Sequence, residues 1–224
     1  MIKKEIFYKP PNGPEEIIFK DSQIIVLNKP SGLLTIPGRR ADHKDCLLTR
    51  VQKKYIGTLL VHRLDMDTSG IIIFARTNTA QRELSKQFEK REIKKTYLAR
   101  IWGIPKHSKG TIEFPIISDI NNRPKQMICY KNGKRSKTEW ELKKSFSQDN
   151  NFFSDLIVRP ITGRSHQIRI HLSSLGYPIL GDSLYAHSKA FNASSRLLLH
   201  SKTIEITHPT SYKTLKFVSD KNFD

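Results

Sequence analysis

Cysteine is scarce in this chain: Cys46 and Cys129 stand far apart, in no CxxC or Cys/His cluster. That excludes a disulfide framework or a clustered zinc site as an organising device and leaves two reduced packing residues. No HExxH pair, Walker loop or dinucleotide fingerprint occurs, so no metal and no nucleotide cofactor is signalled. A metal centre built from His62, His166, His171 and His200 lacks ligand spacing, and structural or binding-contact roles suit these residues better. Long apolar runs are missing as well. None approaches a membrane span, and residues 1–5 have a basic start without an apolar core of signal-peptide length. A cytoplasmic protein with no membrane partner is the expectation.

Acidic residues are the other shortage: 21 Asp and Glu stand against 39 Lys and Arg, a formal charge of +18. Such an excess favours a polyanionic partner, because each neutralised phosphate releases condensed counterions. Nucleic acid fits better than an acidic membrane surface, which would call for a basic amphipathic stretch with a broad apolar face. Hydrophobic residues at 37% suffice for a packed core in 224 residues. No repeat, low-complexity tract or linker divides the chain, so residues 1–224 read as a single mixed domain, expected to be monomeric.

Two apolar clusters, Ile17-Ile18-Phe19 and Ile24-Ile25-Val26-Leu27, read as short strands around a turn at Asp21-Ser22. The breaks at Pro30-Ser31-Gly32 and Pro37-Gly38 make residues 29–40 an irregular loop that offers Lys29, Arg39 and Arg40 to phosphate, or merely to solvent. Asn78 is placed to cap a helix running to about Arg91, with Gln81 in capping-box position and a core stripe of Ala80, Leu84 and Phe88. Residues 96–102 have strand composition, with Tyr97, Ala99 and Ile101 on one face. Asn132-Gly133 is a hairpin signal. Leu156-Ile157-Val158 reads as a buried strand, after which Ser165 caps a helix through Leu175 with Gly176 past its end. Further strands are expected at Leu197-Leu198-Leu199, Ile204-Glu205-Ile206 and Leu215-Lys216-Phe217-Val218.

The segment His62-Arg63-Leu64-Asp65-Met66-Asp67-Thr68-Ser69-Gly70 sets carboxylates among turn formers just ahead of the apolar run Ile71-Ile72-Ile73-Phe74-Ala75. Composition leaves Asp65 and Asp67 equally eligible for chemistry, and either suits an Asx turn. The longer pattern is more specific. His62-Arg63-Leu64-Asp65 with Thr68-Ser69-Gly70 resembles the signature of the RluA family of RNA pseudouridine synthases. So do Asn28-Lys29-Pro30-Ser31-Gly32-Leu33, Lys94-Lys95-Thr96-Tyr97, the third motif from Gly163-Arg164-Ser165-His166-Gln167-Ile168-Arg169 to His171, and Gly176-Tyr177-Pro178-Ile179-Leu180-Gly181-Asp182.

The resemblance implies an α+β pseudouridine synthase catalytic fold: a bent, mainly antiparallel mixed sheet with flanking helices and basic loops. It implies Asp65 as catalyst, Arg169 as its ionic partner and Tyr97 against the target uracil, in a reaction needing neither cofactor nor metal. Asp65 would attack the ribose or remove a sugar proton; both routes stay open. A uridine within a folded RNA arm must be extruded, and Arg63 is the candidate to fill the gap. Arg164, Lys29, Arg39, Arg123 and Lys125 are candidate phosphate or loop contacts, each with the alternative of being solvated. The resemblance is nearest to the branch without a separate N-terminal RNA-binding appendage, acting on stem-loops of 23S rRNA and tRNA. A non-catalytic basic RNA-binding or chaperone module and a metal-free nuclease are the competing readings.

Overall fold

A computed structural model describes residues 8–223. Twelve strands and four helices follow in chain order: β1 Glu16–Lys20, β2 Ile24–Lys29, α1 Leu47–Lys54, β3 Leu59–Leu60, β4 Ser69–Ala75, α2 Asn78–Glu89, β5 Lys94–Trp102, β6 Lys109–Ile112, β7 Ile116–Ser118, β8 Gln126–Ile128, β9 Thr138–Gln148, β10 Asn151–Pro160, α3 Gln167–Ser174, α4 Ser188–Asn192, β11 Leu199–Thr207 and β12 Thr214–Val218. Ten strands form one sheet in the order β1-β2-β4-β11-β5-β10-β9-β6, with β12 on β11 and β3 on β4; β7 and β8 form a separate hairpin. Every pairing is antiparallel except β4 with β11. The class is the expected α+β. Among the described residues no helix is long and apolar enough to cross a membrane.

The central strands are buried on both faces, which is why β2 and β4 read as unbroken apolar runs rather than alternations. Ile24, Val26, Ile71 and Ile73 face one core with Leu84 of α2, while Ile25, Leu27, Ile72 and Phe74 face the other with Leu47 and Val51 of α1. Register shifts at Ser201/Thr203 and at Asp155/Leu156 bend the sheet. The parallel pairing needs Gly70: at φ +108 its backbone lies where any Cβ would fall 2.3 Å from the Ser201 carbonyl oxygen.

Several local expectations are corrected. Thr77, not Asn78, caps α2, its hydroxyl accepting from Ala80 N at 3.1 Å. Gln81 does not fold back to the cap; its amide donates to Leu60 O at 2.7 Å and fastens the helix to β3. Ser165 does not cap α3. The helix starts after His166, which sits in the left-handed region at φ 54 with no side-chain cap, because Gln167 builds the preceding turn by accepting from Arg164 N and Thr162 Oγ1. Asn132-Gly133 turns the chain, with Gly133 N donating to Cys129 O, but the two-stranded hairpin is β7–β8, closed where Asp119 N meets Lys125 O. The two strands expected around Leu198 and Glu205 are one, β11, from which Leu197 and Leu198 are excluded.

Candidate active site

Asp65 lies in the turn between β3 and β4 and lines a cleft of about 280 Å³ together with Tyr97, Arg169, His166 and Arg63. Leu64, Ile168 and Leu199 give that cleft apolar walls. A larger depression of about 530 Å³ beside Arg100 and Trp102 contains none of the candidate catalytic or RNA-contact residues.

The Asp65 turn is held from behind by the segment after β2. Lys29 Nζ donates to Met66 O and Leu33 O at 2.7 Å and to Pro30 O at 2.9 Å. Ser31 Oγ donates to Asp67 O, Gly32 N to Met66 O, and Thr35 Oγ1 both donates to Leu64 O and accepts from Leu64 N. Lys29 is 1% exposed, and burial lowers its ammonium to about 7, with Asp67 and Asp65 opposing the fall. The expectation that Lys29 contacts phosphate is therefore corrected: all three donors are spent on main-chain carbonyls inside the protein.

Arg169 comes from the first turn of α3, is 2% exposed and gives its two-donor fork to Asp182, Nε to Oδ2 at 2.8 Å and Nη2 to Oδ1 at 2.7 Å. Asp65 receives the remaining nitrogen: Nη1 lies 3.7 Å from Asp65 Oδ2. Arg169 is thus an ionic neighbour of Asp65, and its bidentate partner is Asp182, a residue that entered the sequence reading only as the end of a motif. Burial alone would lower the guanidinium, but the hydrogen bonds and charge of Asp182, with Asp65 and Asp67, raise it on balance. Asp67 is pushed up by burial, against the pull of Arg169 and Lys29. Gly181 makes this arrangement possible, since at φ +72 a Cβ there would strike Arg196 O at 1.9 Å.

Tyr97 projects from β5 with burial pushing its phenol up to about 12, Ser201 pulling the other way and Asp65 adding to the rise. Arg63 is exposed at the cleft mouth. Arg164 lines both the cleft and an adjoining groove of about 380 Å³, shared with Lys95 and Arg91. Lys95, which the sequence offers only as part of the Lys94-Lys95-Thr96-Tyr97 motif, lines both the cleft and this groove. Arg123 and Lys125 occupy the turn of the β7–β8 hairpin, and Arg39 is exposed on the loop before α1, away from the cleft lining.

All four histidines considered for a metal already have hydrogen-bond partners: His62 Nε2 accepts from Ile73 N, His171 lies between Thr138 Oγ1 and Phe114 O, His200 between Ser69 Oγ and Ser219 Oγ, and His166 Nδ1 lies 2.8 Å from the Tyr185 hydroxyl. Among the described residues no group of His, Cys, Asp and Glu is placed to hold a metal ion.

The family model described as RNA pseudouridylate synthase matches residues 23–174, a span that contains Asp65, Tyr97 and Arg169. The chain is 47% identical over 217 residues to the dual-specificity RNA pseudouridine synthase RluA of Escherichia coli (strain K12), covering 96% of this chain and 98% of that one. It is 46% identical over 207 residues to the protein of the same name from Yersinia pestis, covering 92% and 99%. Among solved structures, human RNA pseudouridylate synthase domain containing 1 superposes with a TM-score of 0.79 at 25% identity, covering 95% of this chain and 86% of that one. The chain belongs to the RNA pseudouridylate synthase family.

Proposed function

We propose that this isomerase of RNA uridines acts on stem-loops of both 23S rRNA and tRNA, with Asp65 as the catalytic residue. The observation that carries the assignment is the setting of Asp65: it is the carboxylate in the cleft lining, with Arg169 Nη1 3.7 Å away and Tyr97 lining the same cleft. Similarity along nearly the whole chain to dual-specificity relatives supports the choice of two substrates.

The reaction breaks the C1′–N1 bond, turns the uracil and joins C5 to C1′; C5 then gives up its proton and N1 takes one. Product and substrate have the same composition, so atoms and electrons balance without a co-reactant. Asp65 either attacks C1′ or removes a ribose proton. Arg169 supplies a fixed positive charge beside it, and the apolar walls shield the detached base from water. Tyr97, with its phenol held at about 12, stays protonated at neutral pH and offers the uracil a ring face and a hydroxyl proton rather than a resting base. Arg63 enters the space left by the extruded nucleotide. Arg164 and Lys95 take phosphates along the adjoining groove, Arg123 and Lys125 meet the RNA from the hairpin, and Arg39 reaches it from the exposed loop.

Wild-type and Asp65→Asn protein incubated with total RNA lacking the modification, followed by chemical mapping of pseudouridine, tests the reading. New sites in both RNA classes with wild type and none with the variant are expected. Sites in one class would limit the substrate range, and equal products from both proteins would remove Asp65 from the chemistry. If the variant also loses RNA affinity, the carboxylate serves binding or folding instead.

A further inference from the structure

Beside Asp65, nearest the carboxylate oxygen that Arg169 does not face, stands a histidine with a defined environment. His166 Nε2 lies 4.0 Å from Asp65 Oδ1, and its Nδ1 lies 2.8 Å from the Tyr185 hydroxyl. That hydroxyl already accepts a hydrogen bond from Gln126 N–H at 2.7 Å. Burial raises the Tyr185 phenol to about 12, so it keeps its proton at neutral pH, and the acceptor the structure gives that proton is His166 Nδ1. Nδ1 is then the unprotonated nitrogen of the neutral ring, and the hydrogen sits on Nε2, the nitrogen 4.0 Å from Asp65 Oδ1. Burial lowers the His166 imidazolium, with Asp65 and Asp182 opposing and Arg169 and Arg63 reinforcing the fall, which keeps the ring neutral and makes its tautomer matter.

Tyr185 is itself fixed on several sides. Its backbone N–H donates to Asp182 Oδ1, its carbonyl accepts from Ser173 Oγ of α3, and its ring lies 5.3 Å from the Arg169 guanidinium. His166 reaches both Tyr185 and Asp65 from a left-handed backbone at φ 54, a conformation disfavoured for a residue with a Cβ and held where surrounding contacts determine it. A helix start that served folding alone would be better made by Ser, Asp or Asn with a side-chain cap.

We propose that His166 is a positioning residue for Asp65, held as its Nε2–H tautomer by the Tyr185 hydroxyl and anchored through Tyr185 to the β7–β8 hairpin. Arg169 and His166 then flank the carboxylate, one at each oxygen, so that its reacting lone pair has a set direction when the ribose arrives. This role rests on Asp65 being the catalyst, while the tautomer stands without it.

Two measurements test the proposal separately from the proposed function. Long-range 1H–15N spectra of the full-length protein labelled at its histidine rings, without RNA, should show His166 with Nε2 protonated and Nδ1 not, and Tyr185→Phe should turn that resonance pair into a tautomer mixture. A His166 protonated at Nδ1 in wild type would overturn it. In turnover of a hairpin RNA, Tyr185→Phe should lower kcat by about tenfold with KM unchanged, the loss of one orienting hydrogen bond. His166→Gln, whose amide places a donor near the Nε2 position with no tautomer to choose, should retain most of the rate, and His166→Leu should not. Adding Tyr185→Phe to His166→Gln should then change kcat by less than about twofold, since the group it orients is gone. An undiminished tenfold loss in that background would show Tyr185 acting through the fold and would remove His166 from the role. Failure of wild type to form pseudouridine would instead strike the proposed function and leave the tautomer measurement intact.

Discussion

Arg169 and Asp182 are joined by two hydrogen bonds, 2.8 and 2.7 Å long, with both side chains shielded from solvent. The pair fixes the guanidinium plane and leaves Nη1 facing Asp65. Replacing one member of such a pair leaves the other charge buried without its partner, a loss of about 3 to 5 kcal/mol. Asp182→Asn, which keeps an acceptor oxygen, is expected to lose about 2 kcal/mol, a charge-assisted hydrogen bond's worth. The midpoint of urea denaturation reads this directly. Turnover should fall more than RNA affinity, because Arg169 is no longer held against the carboxylate; an equal fall in both would place Asp182 in binding rather than positioning.

Lys29 gives a second prediction. Its three hydrogen bonds connect the segment after β2 to Met66, next to Asp65. Lys29→Met preserves most of the apolar stem and strands the carbonyls, each unsatisfied buried acceptor costing roughly 1 to 3 kcal/mol. Loss of stability in urea together with a fall in kcat at nearly unchanged KM is expected. If stability falls and kcat holds, the turn keeps its shape without the ammonium.

The runs in β2 and β4 were legible because residues buried on both faces leave no polar alternation, and α2 was legible from the spacing of Ala80, Leu84 and Phe88. The Asp65 turn was legible as a motif. Its supports were not. A lysine among Pro, Ser and Gly reads as solvated until the loop of residue 66 is known to lie against it, and the Lys29–Met66 bond spans 37 residues. Asp182 is 13 residues from Arg169, beyond helical spacing, and Gly181-Asp182 has the composition of an ordinary turn. The start of α3 was misread for a related reason: Ser165 is a good cap by type, but Gln167 folds back onto Thr162 and Arg164 and takes over the turn.

Lys95 supplies a third prediction. It sits where the cleft opens into the adjoining groove, beside Arg164, and burial lowers its ammonium. A phosphate there would relieve that penalty. Lys95→Met is expected to weaken RNA binding across sequences and to reduce the slope of log affinity against log salt by about 0.7 to 0.9, the loss of one neutralised phosphate. Titration of a hairpin RNA at several salt concentrations gives the slope, and an unchanged slope would mean that Lys95 touches no phosphate.

His200 makes stability depend on pH. It is 3% exposed, with Ser69 Oγ and Ser219 Oγ each 2.9 Å from a ring nitrogen. Burial, reinforced by Lys202, Arg196 and Lys221, lowers it from 6.5 to about 4. Between those values the unfolded chain binds a proton that the folded protein refuses, so stability rises with pH across the window. The contribution is fully present above pH 6.5 and is lost as pH falls towards 4. At about 1.4 kcal/mol per unit of displacement it amounts to roughly 3 kcal/mol. His62, lowered by burial and Lys95 to about 3, acts in the same direction. Urea denaturation of wild type and His200→Asn at pH 7, 5.5 and 4 should show the wild-type stability falling faster with acid than the variant's. Parallel falls would mean that His200 takes up its proton in the folded protein as readily as in the unfolded chain, and the difference between the two curves isolates this ring from the carboxylates that titrate beside it.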